Sequence, residues 1–373
     1  MMQYWSLLFF LACFSIVSYG SSALFSVVNN ELSDGVECGT SSKTARLDII
    51  FVVESSSTTQ SQWNAIEGNI MAYIVQLSLS NTLNLSNTSR IAVITYSKTA
   101  ASLIYAFTDT QSLRNIQFAL RNSKPSADAV IGSNLNRALR EAKRHLDNNK
   151  SFRLPVILIY AATYDTSLGD PIEAAEMLKT EGYSIITITY DAANGVNDDR
   201  IGNLASPGMN LGSRNGLSTF EQVIIRANCR CPTGWTQLIA NETLYAECFQ
   251  LSTISSQSRV QTCPDSSIQA TLYTPGRYQF VTDLLTQQGS VLGDEYSVGL
   301  HRMNDLWYWV GYDDPVPYND FPEFTYPPTT DAAYGYLVSG IQWEFVADTG
   351  AKPNRPVLCQ TRACSVNYFC NFN

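Results

Sequence analysis

The sequence has few of the residues and motifs on which enzymes and nucleic-acid-binding proteins rely. Only two of its 373 residues are histidines, His145 in a predicted helix and His301 in a predicted turn. No His-Glu-x-x-His, Gly-x-Ser-x-Gly or Gly-x-x-x-x-Gly-Lys motif occurs, so zinc-protease, serine-hydrolase and phosphate-cradling chemistry have no candidate residues. The 24 basic and 33 acidic residues give a net charge of −9, which excludes a basic footprint for nucleic acid or anionic lipid. We therefore predict a protein that is not an enzyme and binds no nucleic acid.

Long apolar runs are also lacking. The run over residues 5–17 has about 13 residues, too few to cross a bilayer core of roughly 30 Å. Small residues follow it, with Ser18 and Gly20 at the −3 and −1 positions of a cleavage site. This pattern predicts a secretory signal peptide at residues 1–20, a short leader at 21–46 and no membrane span, hence a secreted, extracellular protein.

The cysteines and glycosylation sequons agree with secretion. Of nine cysteines, Cys13 lies in the predicted signal peptide, and the remaining even number suits an oxidising compartment and four disulfides. Cys38 and Cys229 bracket the first of two predicted domains, and Cys364 and Cys370 in the tail, residues 361–373, are expected to pair. Four Asn-x-Ser/Thr sequons predict N-glycans at Asn84, Asn87, Asn149 and Asn241.

Alternating strands and helices dominate the first half of the chain. Residues 47–53 are almost entirely apolar, which predicts a strand buried on both faces, and they end at an acid, Glu54, followed by hydroxyl residues. Helical periodicity follows from Trp63. Further strands and helices alternate to residue 227. Asp170 followed by Pro171 predicts a capped helix start, and helices are also predicted over residues 198–205 and 217–227. This alternation predicts a doubly wound, mostly parallel α/β sheet of the Rossmann-like class.

This half resembles the von Willebrand factor type A (VWA) domain over residues 47–228. In that family, hydroxyl and carboxylate groups from three loops hold one Mg²⁺, which an acidic ligand completes. The matching positions here are Glu54, Ser56, Thr58, Ser133 and Ala161.

The match is incomplete in a way that bears on metal binding. Glu54 is one methylene longer than the family's Asp, and Ala161 has no carboxylate, whereas Mg²⁺ tolerates little misplacement of its ligands. Asp165, four residues further on, is the acid whose side chain could take the place of the missing third-loop carboxylate. We expect no bound calcium or magnesium. Instead, we expect the hydroxyls of this loop to hydrogen-bond to one another and to the backbone amides at the start of the following helix.

Beyond residue 229 the composition changes, with more aromatic residues, Gly and Pro. Residues 231–360 resemble a C-type lectin domain through Cys-Pro-Thr-Gly-Trp at 231–235, Val-Gly-Leu at 298–300 and Trp-Tyr-Trp at 307–309. The resemblance implies an α+β fold and the disulfides Cys231–Cys248 and Cys263–Cys359. Calcium-dependent members carry Glu-Pro-Asn and Trp-Asn-Asp, where this chain has Tyr-Pro-Pro at 326–328 and Trp-Glu-Phe at 343–345. One carboxylate cannot supply the six to eight oxygens that Ca²⁺ requires.

The predicted long loop of this domain mixes aromatic and acidic residues, which could stack on sugar rings and accept hydroxyl hydrogen bonds, or form a protein interface. The tryptophans are expected in the core, which leaves as ligand-binding candidates Tyr312, Asp313, Asp314, Tyr318, Asp320, Glu323 and Tyr326.

A VWA domain followed by a lectin domain resembles a family of secreted nematode proteins and implies recognition in innate defence. Our first hypothesis is calcium-independent carbohydrate binding. The alternative is an extracellular protein-binding or adhesion module in which both metal sites are lost, so the expected partner is a glycan or an extracellular protein.

Overall fold

The first half of the chain is built on one sheet. The computed structural model describes residues 32–39, 41–80, 87–126, 129, 132–191, 198–252, 263–264, 266–350, 355–365 and 368. Within these, the first sheet has the strand order β3-β2-β1-β4-β5-β6, parallel throughout except for an antiparallel β2–β3 hairpin. Its strands are β1 (Leu47–Glu54), β2 (Arg90–Tyr96), β3 (Ala101–Tyr105), β4 (Leu154–Ala161), β5 (Ser184–Thr189) and β6 (Asn210–Gly212).

Helices cover both faces of this sheet, as predicted. One face packs on α1 (Trp63–Val75), α2 (Leu113–Asn122) and α5 (Leu217–Ala227). The other packs on α3 (Leu135–Asn148) and α4 (Pro171–Thr180). Every residue of β1 is buried, because this central strand has a layer of helices on each side.

Local sequence explains where several helices begin. The Asp170 side chain accepts a hydrogen bond from the Ile172 amide and Pro171 follows it, which is the predicted start of α4. Asn134 caps α3 by accepting from the Arg137 amide. The helix predicted over residues 198–205 is instead a short 3-10 helix, Asp199–Leu204, capped by Asp198.

The second half is built on a mainly antiparallel sheet with one long helix, α6 (Pro275–Gln287). Phe249, Leu300, Trp309 and Phe345 are central to its core, and Trp307 packs against that core, as expected for the tryptophans. The strands are β7 (Thr236–Ala240), β8 (Thr243–Ser252), β9 (Ile268–Gln269), β10 (Glu295–Met303), β11 (Leu306–Trp309), β12 (Val316–Pro317), β13 (Tyr334–Val338), β14 (Glu344–Asp348) and β15 (Val357–Arg362).

Three disulfides occur among the described residues, Cys38–Cys229, Cys231–Cys248 and Cys263–Cys359. These are the pairs named from the sequence. Cys364 is also disulfide-bonded, while its predicted partner Cys370 lies outside the described residues.

The chain before β1 reaches across to the second sheet. The Ala246 amide donates to the Val36 carbonyl at 2.7 Å, and the Cys38 amide donates to the Leu244 carbonyl at 3.2 Å, so this segment lies along β8. The predicted signal peptide, most of the leader and Asn84 fall outside the described residues. No helix in the described part of the chain has the length and apolar character to cross a membrane.

Candidate functional site

Glu54 lies at the carboxyl end of β1, where open α/β sheets place their ligand-binding loops. Its side chain is fully buried. One carboxylate oxygen accepts from the Ser56 hydroxyl at 2.6 Å, and the other accepts from the backbone amides of Ala162 at 2.8 Å and Thr163 at 3.3 Å. The extra methylene of Glu relative to Asp therefore carries the carboxylate onto the backbone that follows β4.

A second set of contacts draws in the other two loops. The buried Ser133 hydroxyl donates to the Thr163 carbonyl at 2.7 Å, and the Asp165 amide donates to the Ser133 carbonyl at 3.1 Å. The Thr163 hydroxyl donates to Asp198 at 3.0 Å, and Asp198 is paired with Arg200 at 2.6 Å. Protein hydrogen bonds thus connect all three loops that the VWA resemblance assigns to a metal ion.

Burial changes the pKa values of the titratable groups in this cluster. Desolvation raises the pKa of Glu54 above its ordinary value, while its three hydrogen bonds act in the opposite direction. Tyr96, paired with Glu54 in the sheet register, is fully buried, and burial together with the Glu54 charge raises its pKa. Its hydroxyl has no hydrogen-bond partner among the described residues. The pKa of Asp198 is lowered chiefly by its hydrogen bonds from Arg200.

These residues fit a divalent cation poorly. Both Glu54 oxygens already face protein donors, and Ala161 offers only a methyl group at the third loop. Asp165 turns away, because one of its oxygens accepts from the Ser167 amide at 2.9 Å and hydroxyl at 2.6 Å. The Thr58 amide donates to the Ser56 hydroxyl. Across the described residues, no group of three or more His, Cys, Asp and Glu side chains is arranged to hold a metal ion.

The long loop between β11 and β13 contains the seven ligand-binding candidates, and the structure divides them into two groups. Tyr312 and Tyr318 turn inward. The Tyr312 hydroxyl donates to the buried Glu247 carboxylate at 2.9 Å, and the Tyr318 ring packs on Trp309 while its hydroxyl donates to the Pro322 carbonyl. Burial raises the pKa of both tyrosines, that of Tyr312 also through the Glu247 charge. They anchor the loop and present no free hydroxyl.

The other five candidates are exposed: Asp313, Asp314, Asp320, Glu323 and Tyr326. Tyr326 is the most prominent aromatic among them, with 62% of its surface accessible. Asp313 is paired with Arg362 on β15 at 3.0 Å. This part of the loop is therefore an acidic surface with one projecting aromatic ring.

A buried polar network behind the loop could not be recognised from sequence motifs. Arg277 of α6 is completely buried and lies 3.2 Å from Glu247. It also donates to the Gln360 side chain at 3.1 Å, to the Thr271 hydroxyl at 2.7 Å and to the Asp34 carbonyl at 2.6 Å. A buried charge that lacks some of its hydrogen-bond partners destabilises a folded protein. These contacts therefore hold the strands beneath the loop in place. Its only sequence signal is Arg277 itself, the single basic residue of α6.

Three further residues can now be placed. His145 is in α3, as predicted, where it is half-buried and stacks on Phe107 with ring centroids 5.0 Å apart. The turn predicted around His301 is wrong, because this residue lies within β10 and pairs with strands on both sides. Among the sequons, Asn87 and Asn241 are exposed, whereas Asn149 is half-buried and its side-chain amide donates to the His145 carbonyl at 2.8 Å.

Comparison with known proteins supports the assignment of the first sheet and its helices. Residues 48–218 match the family model of the von Willebrand factor type A domain, so the parallel sheet and its helices are VWA-like. C-type lectin domain-containing protein 160 of Caenorhabditis elegans is 28% identical over 229 residues, covering 58% of this chain and 35% of that protein. The chain therefore spans about a third of the length of this curated relative.

Solved structures of two further proteins are also similar. Proximal thread matrix protein 1 of the mussel byssus is 17% identical with a TM-score of 0.42, covering 50% of this chain and 47% of that one. Another structure of the mussel protein has a zinc-occupied MIDAS motif. The manganese-loaded TRAP protein of Plasmodium vivax is 13% identical with a TM-score of 0.40, covering 48% of this chain and 74% of that one.

Proposed function

We propose that this chain is a secreted, non-enzymatic recognition protein that binds carbohydrate without calcium. In this proposal residues 1–20 are a signal peptide, residues 47–228 form a VWA domain and residues 231–360 form a C-type lectin domain that carries the ligand site. The disulfides are typical of an oxidising extracellular compartment. The resemblance to nematode lectins extends the proposal to innate immune defence.

The observation that carries this proposal is that the long loop contains two groups of residues, one that faces inward and one that is exposed. Two tyrosines fix it from within, and five exposed residues project from it. Exposed carboxylates accept hydrogen bonds from sugar hydroxyls, and an exposed aromatic ring stacks on the apolar face of a sugar. A loop held by Tyr312 and Tyr318 loses little conformational entropy on binding, which favours affinity without a metal ion to organise it.

Observations in both halves of the chain support metal independence. In the first, the Glu54 carboxylate is engaged by protein donors. In the second, the positions of the family's calcium ligands are occupied by Tyr-Pro-Pro and Trp-Glu-Phe, and Phe345 of the latter is buried in the core. We infer that ligand binding persists in a chelator.

A glycan array probed with the full chain, with and without EDTA, tests this function. We expect binding that EDTA leaves unchanged and that the double variant Asp313→Ala/Asp314→Ala or Tyr326→Ala weakens. The matched controls are Glu173→Ala, an exposed acid on α4, and Phe118→Ala, an aromatic residue that is 67% exposed on α2. EDTA-sensitive binding would contradict metal independence.

The alternative function is an extracellular protein-binding or adhesion module. The VWA family match favours it, because that match covers the part of the chain without lectin-like features. If the array shows no glycan binding while the protein captures an extracellular protein, and variants on the first sheet's carboxyl edge abolish that capture, the alternative replaces the first proposal.

A further inference from the structure

A row of ring-bearing side chains, three aromatic residues and one proline, crosses four neighbouring strands on one face of the second sheet. The register pairs Tyr334 of β13 with His301 of β10, His301 with Tyr308 of β11, and Tyr308 with Pro317 of β12. Residues directly opposite each other in antiparallel strands point to the same face of the sheet. We call Tyr334, His301, Tyr308 and Pro317 the cross-strand row.

The row faces away from the core. Trp307 and Trp309 flank Tyr308 in β11 and therefore point to the opposite face, where both pack into or against the core. Tyr308, Tyr334 and His301 belong to none of the core clusters and are partly accessible, while Pro317 is exposed. A second pair on the same face, Met303 and Leu306, is 37% and 60% exposed and widens the apolar surface.

The polar ends of the row are not hydrogen-bonded within the described part of the chain. The Tyr308 and Tyr334 hydroxyls and the His301 ring make no hydrogen bond to any described residue, unlike Tyr312 and Tyr318 in the nearby loop. Because these groups are partly accessible, they can exchange hydrogen bonds to water for hydrogen bonds to a polar ligand that covers the row.

Charge indicates which ligand suits this surface. The row itself contains no acid or Lys/Arg, and the residue that continues it beyond Tyr334 is Asp348, whose charge is paired with Arg355 at 2.8 Å. A surface without unpaired charge complements an uncharged ligand. Neighbouring strands are about 4.8 Å apart, so the row is about 14 Å long, which suits consecutive rings of an extended sugar chain.

We propose that the cross-strand row is a binding platform for a neutral, linear oligosaccharide. The two tyrosine rings, about 9.6 Å apart across two strand spacings, stack on separate sugar rings of one chain, and their hydroxyls and the His301 ring exchange hydrogen bonds with sugar hydroxyls. This inference rests on the proposed carbohydrate-binding function but locates the contact on the sheet face, apart from the acidic loop. Affinity should rise with chain length until the ligand spans the row.

Calorimetric titration with neutral β1,4-linked glucose and N-acetylglucosamine oligomers of two to six units tests the platform, with a sialylated and a sulfated glycan as charged comparisons. We expect the neutral tetramer to bind more tightly than the dimer. Tyr308→Ala and Tyr334→Ala should each weaken binding of the tetramer roughly fivefold, since a stacked ring contributes on the order of 1 kcal/mol. Tyr308→Phe should retain most of the affinity because it retains the ring.

Control variants separate binding from folding. Phe118→Ala removes a comparably exposed ring from α2 and should leave affinity unchanged. Melting temperatures of all variants show whether a lost affinity reflects lost structure. If one of the two tyrosine-to-alanine variants unfolds, the other still tests the platform.

Each outcome has a distinct meaning. If the wild-type chain binds none of the neutral or charged sugars, the proposed carbohydrate function falls and the platform with it. If it binds sugar, but the row variants bind as well as wild type while Asp313→Ala/Asp314→Ala does not, the function stands and the platform is refuted. Binding of a protein partner through the row, with no sugar competing, would also overturn it.

Discussion

Replacing Glu54 by Ala tests whether hydrogen bonds, rather than a metal ion, hold the VWA-like loops together. The change removes the acceptor for the Ser56 hydroxyl and the Ala162 and Thr163 amides in a fully buried site. Each buried donor left unsatisfied costs about 1–3 kcal/mol, so we expect a total loss of stability of about 3 kcal/mol or more. Urea unfolding of the full chain, followed by circular dichroism, measures this loss.

The conservative variant Glu54→Gln adds a prediction about pH. Because burial raises the pKa of Glu54 in the folded state above its unfolded value, the ionised carboxylate lowers stability. The penalty is absent below the unfolded pKa and grows as pH rises through the folded pKa. Glutamine does not titrate, so the stability of Glu54→Gln relative to wild type should increase as the pH rises above the ordinary glutamate pKa of about 4.

Two controls make this experiment decisive. Glu173→Ala removes an exposed acid and should change stability by no more than about 0.5 kcal/mol. Unfolding is repeated with added Mg²⁺ and with EDTA, and neither should shift the wild-type midpoint. A Mg²⁺-dependent stabilisation of wild type that Glu54→Ala lacks would show that an ion holds these loops and would refute the argument.

Three more predictions follow from the contacts described above. Tyr312→Phe removes the hydroxyl that donates to buried Glu247, so urea unfolding should show a loss of about 1–3 kcal/mol, together with weaker glycan binding because the loop loses its anchor. Replacing both Cys38 and Cys229 by Ser opens a loop of sequence separation 191 and should cost at most about 5 kcal/mol in the chain-entropy description, read from the same assay. Mass spectrometry of the secreted protein should find lower glycan occupancy at Asn149 than at the two exposed sequons, because its side-chain amide bonds a helix carbonyl; equal occupancy would contradict this.

Regular elements with strong periodicity were predictable from the sequence. The apolar run at residues 47–53 is the central strand β1, and the predicted helix over residues 217–227 has the observed bounds of α5. Asp170 followed by Pro171 marks the start of α4. In each case the determining interactions lie within one turn or one strand, so the local pattern is sufficient.

The candidate sites were less predictable because they depend on contacts between distant residues. Nothing near Glu54 in sequence shows that its carboxylate reaches amides 108 and 109 positions away. Tyr312 and Tyr326 are the same residue type in the same loop. The Tyr312 hydroxyl nevertheless donates to the buried Glu247 carboxylate, whereas Tyr326 projects into solvent. Irregular loops have no periodic pattern that predicts which side chains point inward. Only tertiary packing therefore distinguishes a loop residue that anchors the loop from one that is exposed.

The same dependence on distant contacts changes how the second half of the chain should be understood. Arg277 is neutralised by Glu247 within this half, but it also donates to the Asp34 carbonyl, and the Thr274 hydroxyl at the start of α6 bonds the Asp34 side chain. Cys38 of the same segment is covalently joined to Cys229. Since Glu247 in turn accepts a hydrogen bond from Tyr312, the segment before β1 completes the polar network that positions the loop between β11 and β13. The second half of the chain therefore depends for part of its structure on residues that precede the VWA-like sheet, although the domain boundary predicted at residue 231 separates them.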